Sequence, residues 1–146
     1  INVSAVEDGV VRFFTKPSVL LIGIGATLGR VGISFNPFSC NQQINVIIPS
    51  QEIEPEFLYY SLLAKQETMR VLSNAATLGI MNQETTRQVD IAAPDLEEQR
   101  RGIDHLNTHI AHIFKVIDKV ESVIGRLTEY RTALVTAAVT GELDII

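Results

Sequence analysis

At 146 residues, 46% of them hydrophobic, the chain has apolar material for one domain with a real core and too little length for two of ordinary size. Its formal charge of -5 argues against a module that grips polyanions through bulk charge, because such affinity comes from Lys and Arg neutralising phosphates. The longest apolar run, Val19 to Ile24, is far short of the ~20 residues of a spanning helix, and the single thiol, Cys40, lacks an internal disulfide partner, so a soluble, cytoplasmic protein with no membrane role is expected.

Up to Pro94 the pattern predicts short strands and turns. Val10-Phe14, Val19-Ile24, Arg30-Ser34 and Ile44-Ile48 are rich in Val, Ile and Phe and are separated by Gly, Pro, Asn and Ser. Helical spacing then runs from Pro55 to Leu72, with Pro55 suited to a first turn where a missing N–H costs nothing. Ser73 to Arg87 is polar and reads as an exposed loop with a short helical turn near its end, and Val89-Ala92 reads as a last strand.

After Pro94 the chain changes character. Asp95 suits an N-cap, Glu97 and Glu98 complement the dipole of a first turn, and no Pro follows. Heptads counted from Ile103 place Ile103, Ile110, Ile117, Ile124 and Arg131 at one seam position and Leu106, Ile113, Val120, Leu127 and Leu134 at the other. That 3-4 alternation predicts one long helix seeking a helical partner, with Gly125 at a close contact or slight bend and Gly141 as its stop. The class is therefore α+β, a small β-rich domain over residues 1–94 with one or two packed helices, followed by a long C-terminal coiled-coil helix over residues 95–146 with a short tail.

Signals of chemistry are weak. Gly23-Ile24-Gly25-Ala26-Thr27-Leu28-Gly29 follows a strand but lacks dinucleotide spacing, and the strand-like Arg30-Ser34 comes next, so it reads as a hairpin turn. Asn36-Pro37-Phe38 misses the second Pro of the adenine-methyltransferase motif. His105, His109 and His112 share one helix flank with no further ligand nearby and read as a solvated face. This reading assigns no catalytic residue, no metal and no cofactor.

Several ordered segments carry a resemblance: Val19-Leu20-Leu21-Ile22-Gly23, Leu28-Gly29-Arg30-Val31-Gly32, Cys40-Asn41-Gln42-Gln43-Ile44, Phe57-Leu58-Tyr59-Tyr60, Pro94-Asp95-Leu96-Glu97-Glu98-Gln99, Glu129-Tyr130-Arg131 and Ala138-Val139-Thr140-Gly141. Together they resemble the specificity subunits of type I restriction-modification enzymes. The resemblance implies a target-recognition domain, with several dozen residues expected ahead of the Val19 strand, followed by a conserved spacer helix. It also implies a set of partners: double-stranded DNA, methyltransferase subunits and through them the restriction subunit, and a second copy of the long helix.

Base edges are read by Arg on guanine and by Asn or Gln on adenine, with Ser or Thr assisting. The candidates are Arg30, Asn41, Gln42 and Gln43 near the glycine hairpin and Thr77, Asn82, Gln83, Thr85 and Arg87 in the polar loop. Asn41 and Gln42, which belong to one of the family-like segments, read more readily as turn residues bonded to backbone. Two other classes stay open at this point: a coiled-coil scaffold without nucleic acid, and a small-molecule enzyme, which needs a deep pocket with converging titratable groups.

Overall fold

The structure is a computed structural model that describes residues 12–74 and 79–142. By its internal contacts the chain divides into two units, Ile1–Ile103 and Asp104–Ile146.

The first unit is built on short antiparallel strands. β1 (Phe13–Phe14) pairs with β4 (Phe38–Ser39), and the rings of Phe14 and Phe38 stack with centroids 5.2 Å apart. β2 (Ser18–Ile22) lies between β3 (Val31–Ser34) and β5 (Ile44–Ile47), in the order β3-β2-β5. Its central place explains why Val19 and Leu21, two residues apart and so on one face, are wholly buried. Against them pack Leu58 and Leu62 of α1 (Pro55–Ala64), Met69 of α2 (Gln66–Asn74) and the loop residue Met81. Each such side chain removed from water contributes roughly 1.5–3 kcal/mol.

Two expectations are corrected here. The single helix from Pro55 to Leu72 is two helices, broken at Lys65, whose backbone (φ -94, ψ 8) leaves helical geometry while its N–H closes a tight turn on the Leu62 carbonyl. The break gives α2 its own inward face, on which Met69 and Ser73 are buried four residues apart. Val89-Ala92 is not a strand. Val89 and Ile91 pack on the core, so their alternation reflects burial without a ladder partner among the described residues. The short helical turn expected near the end of the polar stretch is α3 (Gln83–Arg87), while at its start α2 reaches Asn74 and residues 75–78 lie outside the described residues.

α4 (Leu96–Thr140) is one uninterrupted helix of 45 residues, on the order of 65 Å long at ~1.5 Å per residue. Asp95 caps it, its Oδ1 accepting from the Glu98 N–H at 2.8 Å. It ends at Gly141, which takes φ 75 so that the Glu142 N–H reaches back to the Ala137 carbonyl at 2.9 Å, a Schellman closure. Its first turns belong to the first unit, where Gln99 and Ile103 are buried.

In the second unit the seam residues Leu106, Ile113, Ile117, Val120, Ile124, Leu127 and Leu134 are 40–61% exposed and Ile110 is half-buried. Val116, Val123 and Tyr130, one position before Ile117, Ile124 and Arg131 of the seam, are exposed as well, which widens the apolar stripe. A Cβ on Gly125 would meet nothing within 4 Å, so no close approach within the described residues accounts for that glycine. The tail residues 143–146 lie outside the described residues.

Candidate functional site

The polar surface is organised by two residues, one in the sheet and one at its edge. Gly23, just past the end of β2, donates its N–H to the Gln43 carbonyl and accepts the Met81 N–H, both at 2.8 Å. A Cβ at Gly23 would stand 2.7 Å from the Met81 carbonyl oxygen, so any side chain there displaces the Met81 segment. Asn45 on β5 donates from Nδ2 to that same carbonyl at 2.6 Å and to Thr86 Oγ1 at 3.1 Å. Segments far apart in the chain, at 23, 43–45 and 81–86, thereby meet.

α3 is a five-residue helix, too short to persist alone. Asn82 caps it, with Oδ1 accepting from the Thr85 N–H at 2.8 Å and from Thr85 Oγ1 at 3.0 Å, and Thr86 Oγ1 donates to the Asn82 carbonyl at 2.7 Å. The cap and the Asn45 strap hold the helix against the sheet. Gln83 and Arg87 are left exposed, with side chains that bond to nothing among the described residues.

The candidate residues thus sort by what their side chains already do. Asn82 and Thr85 are committed to each other, and Asn41 Oδ1 accepts from the Gln43 N–H at 3.1 Å, the turn role that its sequence allowed. Gln42 and Gln43 are exposed on that turn, and Gln43 flanks Gly23 opposite Met81, so this turn and the start of α3 share one neighbourhood. Arg30 is exposed at the far end of the glycine hairpin, where Gly25 and Gly29 take φ 92 and 82 and the Gly29 N–H closes on the Ile22 carbonyl. It joins α2 rather than α3 in lining a cleft. Thr77 lies outside the described residues.

Sequence reasoning missed Asn45 and Gly23 as the residues that position α3. The available signal was a lone carboxamide inside the apolar run Ile44-Ile47. It also left Gln99 unexplained within the Pro94-Gln99 motif. Gln99 is fully buried; its Oε1 accepts the Glu54 N–H at 2.8 Å, and its Nε2 donates to the carbonyls of Glu52 at 2.9 Å and Pro94 at 2.7 Å.

Little of this resembles a catalytic centre. Burial pushes the Cys40 thiol up, which lowers its thiolate fraction and its value as a nucleophile. His105 and His109 meet edge to face at 4.4 Å on an exposed helix flank. Among the described residues no three His, Cys, Asp or Glu side chains converge to hold a metal ion, and no helix is long and apolar enough to cross a membrane.

Fold and surface define a small α+β module with exposed carboxamide and guanidinium groups, joined to a long helix of coiled-coil pattern. The chain belongs to the family described as the type I restriction modification DNA specificity domain, whose model matches residues 10–124 and so spans strands and long helix alike. It is 33% identical over 103 residues to the MjaIX type I restriction enzyme specificity subunit of Methanocaldococcus jannaschii, covering 69% of this chain and 24% of that protein. To the HindI specificity subunit of Haemophilus influenzae it is 34% identical over 131 residues, covering 81% and 26%. The EcoBI specificity subunit of Escherichia coli is 21% identical over 132 residues, covering 90% and 28%. The chain spans about a quarter of the length of these relatives.

Proposed function

We propose that this chain carries sequence-specific DNA recognition for a type I restriction-modification complex. Residues 1–94 act as the target-recognition domain, and residues 95–146 act as the helix that pairs with a second such helix, from another half-subunit or another copy. The chain works inside the cell on double-stranded DNA. Methyltransferase subunits, and through them the restriction subunit, supply the chemistry, and this chain supplies none.

The observation that carries this reading is the family match across 10–124, which joins the strands, α3 and most of the long helix in one unit of relatedness. It disfavours a scaffold without nucleic acid, which accounts for the heptads alone. The acidic net charge is compatible with DNA contact because residues 1–94 hold six Lys or Arg against eight Asp or Glu, and partner subunits can contribute further phosphate contacts. Gln83, Arg87, Gln42, Gln43 and Arg30 remain available for DNA, while Asn41, Asn82 and Thr85 support their neighbours.

A randomised duplex library captured by the chain together with the methyltransferase subunit of its system tests the reading. Enrichment of one defined sequence pattern is expected. Capture without any enriched pattern, or no capture, overturns it.

A further inference from the structure

The hairpin between β2 and β3 meets α2 at Gly29. A Cβ built on Gly29 would stand 3.3 Å from Arg70 Cγ and 3.6 Å from the Gln66 carbonyl oxygen, so the bare Cα lets the stem of Arg70 lie along the hairpin that carries Arg30. The two guanidinium-bearing residues line one open cleft of about 500 Å³, together with Thr27, Leu28, Gln66 and Glu67. Arg30 has no ion-pair partner among the described residues. Arg70 has only Glu67, at 3.7 Å and with both side chains largely exposed, a pair too weak to compete with a well-placed anion.

The charge balance is local. Of the carboxylates between residues 12 and 94 (Glu52, Glu54, Glu56, Glu67, Glu84 and Asp90) only Glu67 lines the cleft, which leaves two positive charges against one negative in a chain of formal charge -5. The lining is too exposed to enclose a small molecule. It suits an anion that arrives already ordered on a large body, and a planar guanidinium fork matches the oxygens of a phosphate.

We propose that Arg30 and Arg70 form a clamp for a backbone phosphodiester of double-stranded DNA. The clamp rests on the DNA reading given above and adds to it Arg70, a residue with no assigned role, and a phosphate role for Arg30. Such a contact fixes where the domain sits on the duplex without selecting sequence.

The test measures binding of labelled target and non-target duplexes by the chain assembled with its methyltransferase subunit, between ~50 and ~200 mM salt. Arg70→Ala and Arg30→Ala should each weaken both duplexes alike and flatten the slope of log affinity against log salt by ~0.9 per lost phosphate contact. Arg70→Lys should keep most of the slope while losing part of the affinity, because it retains charge without the fork. Thermal unfolding should be unchanged, since the Arg70 side chain is 60% exposed. Unchanged affinity and slope in folded Arg70→Ala overturns the clamp and leaves the DNA reading intact. A loss confined to one base pair of the target overturns the phosphate assignment by making the arginine a base reader, and failure of the unsubstituted assembly to bind any duplex overturns both proposals.

Discussion

Removing the Gln99 carboxamide should destabilise the first unit more than any single change at its surface. Three bonds converge on that fully buried group and join the first turn of α4 to the Glu52-Glu54 segment and to Pro94. A typical bond is worth about 1 kcal/mol net, but a buried donor or acceptor left without a partner costs about 1–3 kcal/mol. Gln99→Met keeps the volume and strands the Glu54 N–H and two carbonyls. Some of these recover water at the loop edge, so the expected loss is about 3 kcal/mol, a large share of the ~5–15 kcal/mol that holds a domain together. For a unit of this size that corresponds to a fall in Tm of about 10–20 °C. The neighbouring ion pair sets the contrast: Arg100 Nε lies 2.7 Å from Glu54 Oε1, but the Arg100 side chain is 65% exposed, so Arg100→Ala should cost under about 1 kcal/mol.

Gln99→Glu sharpens the test. The carboxylate retains an acceptor for the Glu54 N–H yet faces two carbonyls, so burial and those carbonyls raise its folded-state pKa above the unfolded value. A group raised in this way contributes stability below its unfolded pKa and loses it as pH rises through the folded one, so the deficit against the parent should be smallest in acid and grow towards neutrality. With no Trp in the chain, urea unfolding followed through tyrosine emission in a Tyr130→Phe background, which leaves Tyr59 and Tyr60 on α1 as the emitters, reports the first unit. A loss below about 1 kcal/mol in Gln99→Met would refute the claim that this carboxamide ties α4 to the domain.

Ile117→Asp places a charge in the exposed seam of α4 and should abolish self-association, read as monomer mass in light scattering where the parent is a dimer; unchanged mass contradicts helix pairing. Gly23→Ala drives a methyl to within 2.7 Å of the Met81 carbonyl, and the forced shift of a well-packed segment should cost about 1–3 kcal/mol and expose the amides of residues 81–86 to hydrogen exchange; parent-like protection of those amides counts against the strap. Asn45→Ala should loosen the same amides without the steric clash, by removing both bonds from Nδ2.

How much of this was legible in the sequence follows from the range of each interaction. The positions of β2, β3 and β5 were readable because Gly, Pro and Asn punctuate short Val- and Ile-rich runs, and the register of β2 against β3 follows from the glycine hairpin; β4 (Phe38–Ser39) and the pairing of β2 with the distant β5 were not readable, since no local turn specifies them. The long helix was readable to within a residue or two at each end, since Asp95 and Gly141 act on their immediate neighbours. The break at Lys65 was not, because the apolar spacing of α1 continues into α2 and only the fit of Met69 and Ser73 to the sheet decides between one helix and two. Val89 and Ile91 alternate like a strand because one side of an extended segment is buried, a pattern that carries no information about ladder partners. At the surface, Asn82, Gln83 and Arg87 look alike as polar residues, and only the contacts of α3 separate the helix cap from the two exposed groups.

Sequence recognition by α3 is the central claim, and it is tested most directly by methylation of a randomised-site DNA library with the assembled enzyme carrying Gln83→Ala or Arg87→Ala. Gln83→Ala should relax preference at particular base pairs by ~1–3 kcal/mol, whereas Arg87→Ala should weaken all sequences together where it holds phosphate. Asn82→Ala serves as the control for position, costing the cap about 1 kcal/mol and blurring what Gln83 reads. An unchanged site profile with unchanged affinity in all three variants would contradict the account and move the reading surface away from α3.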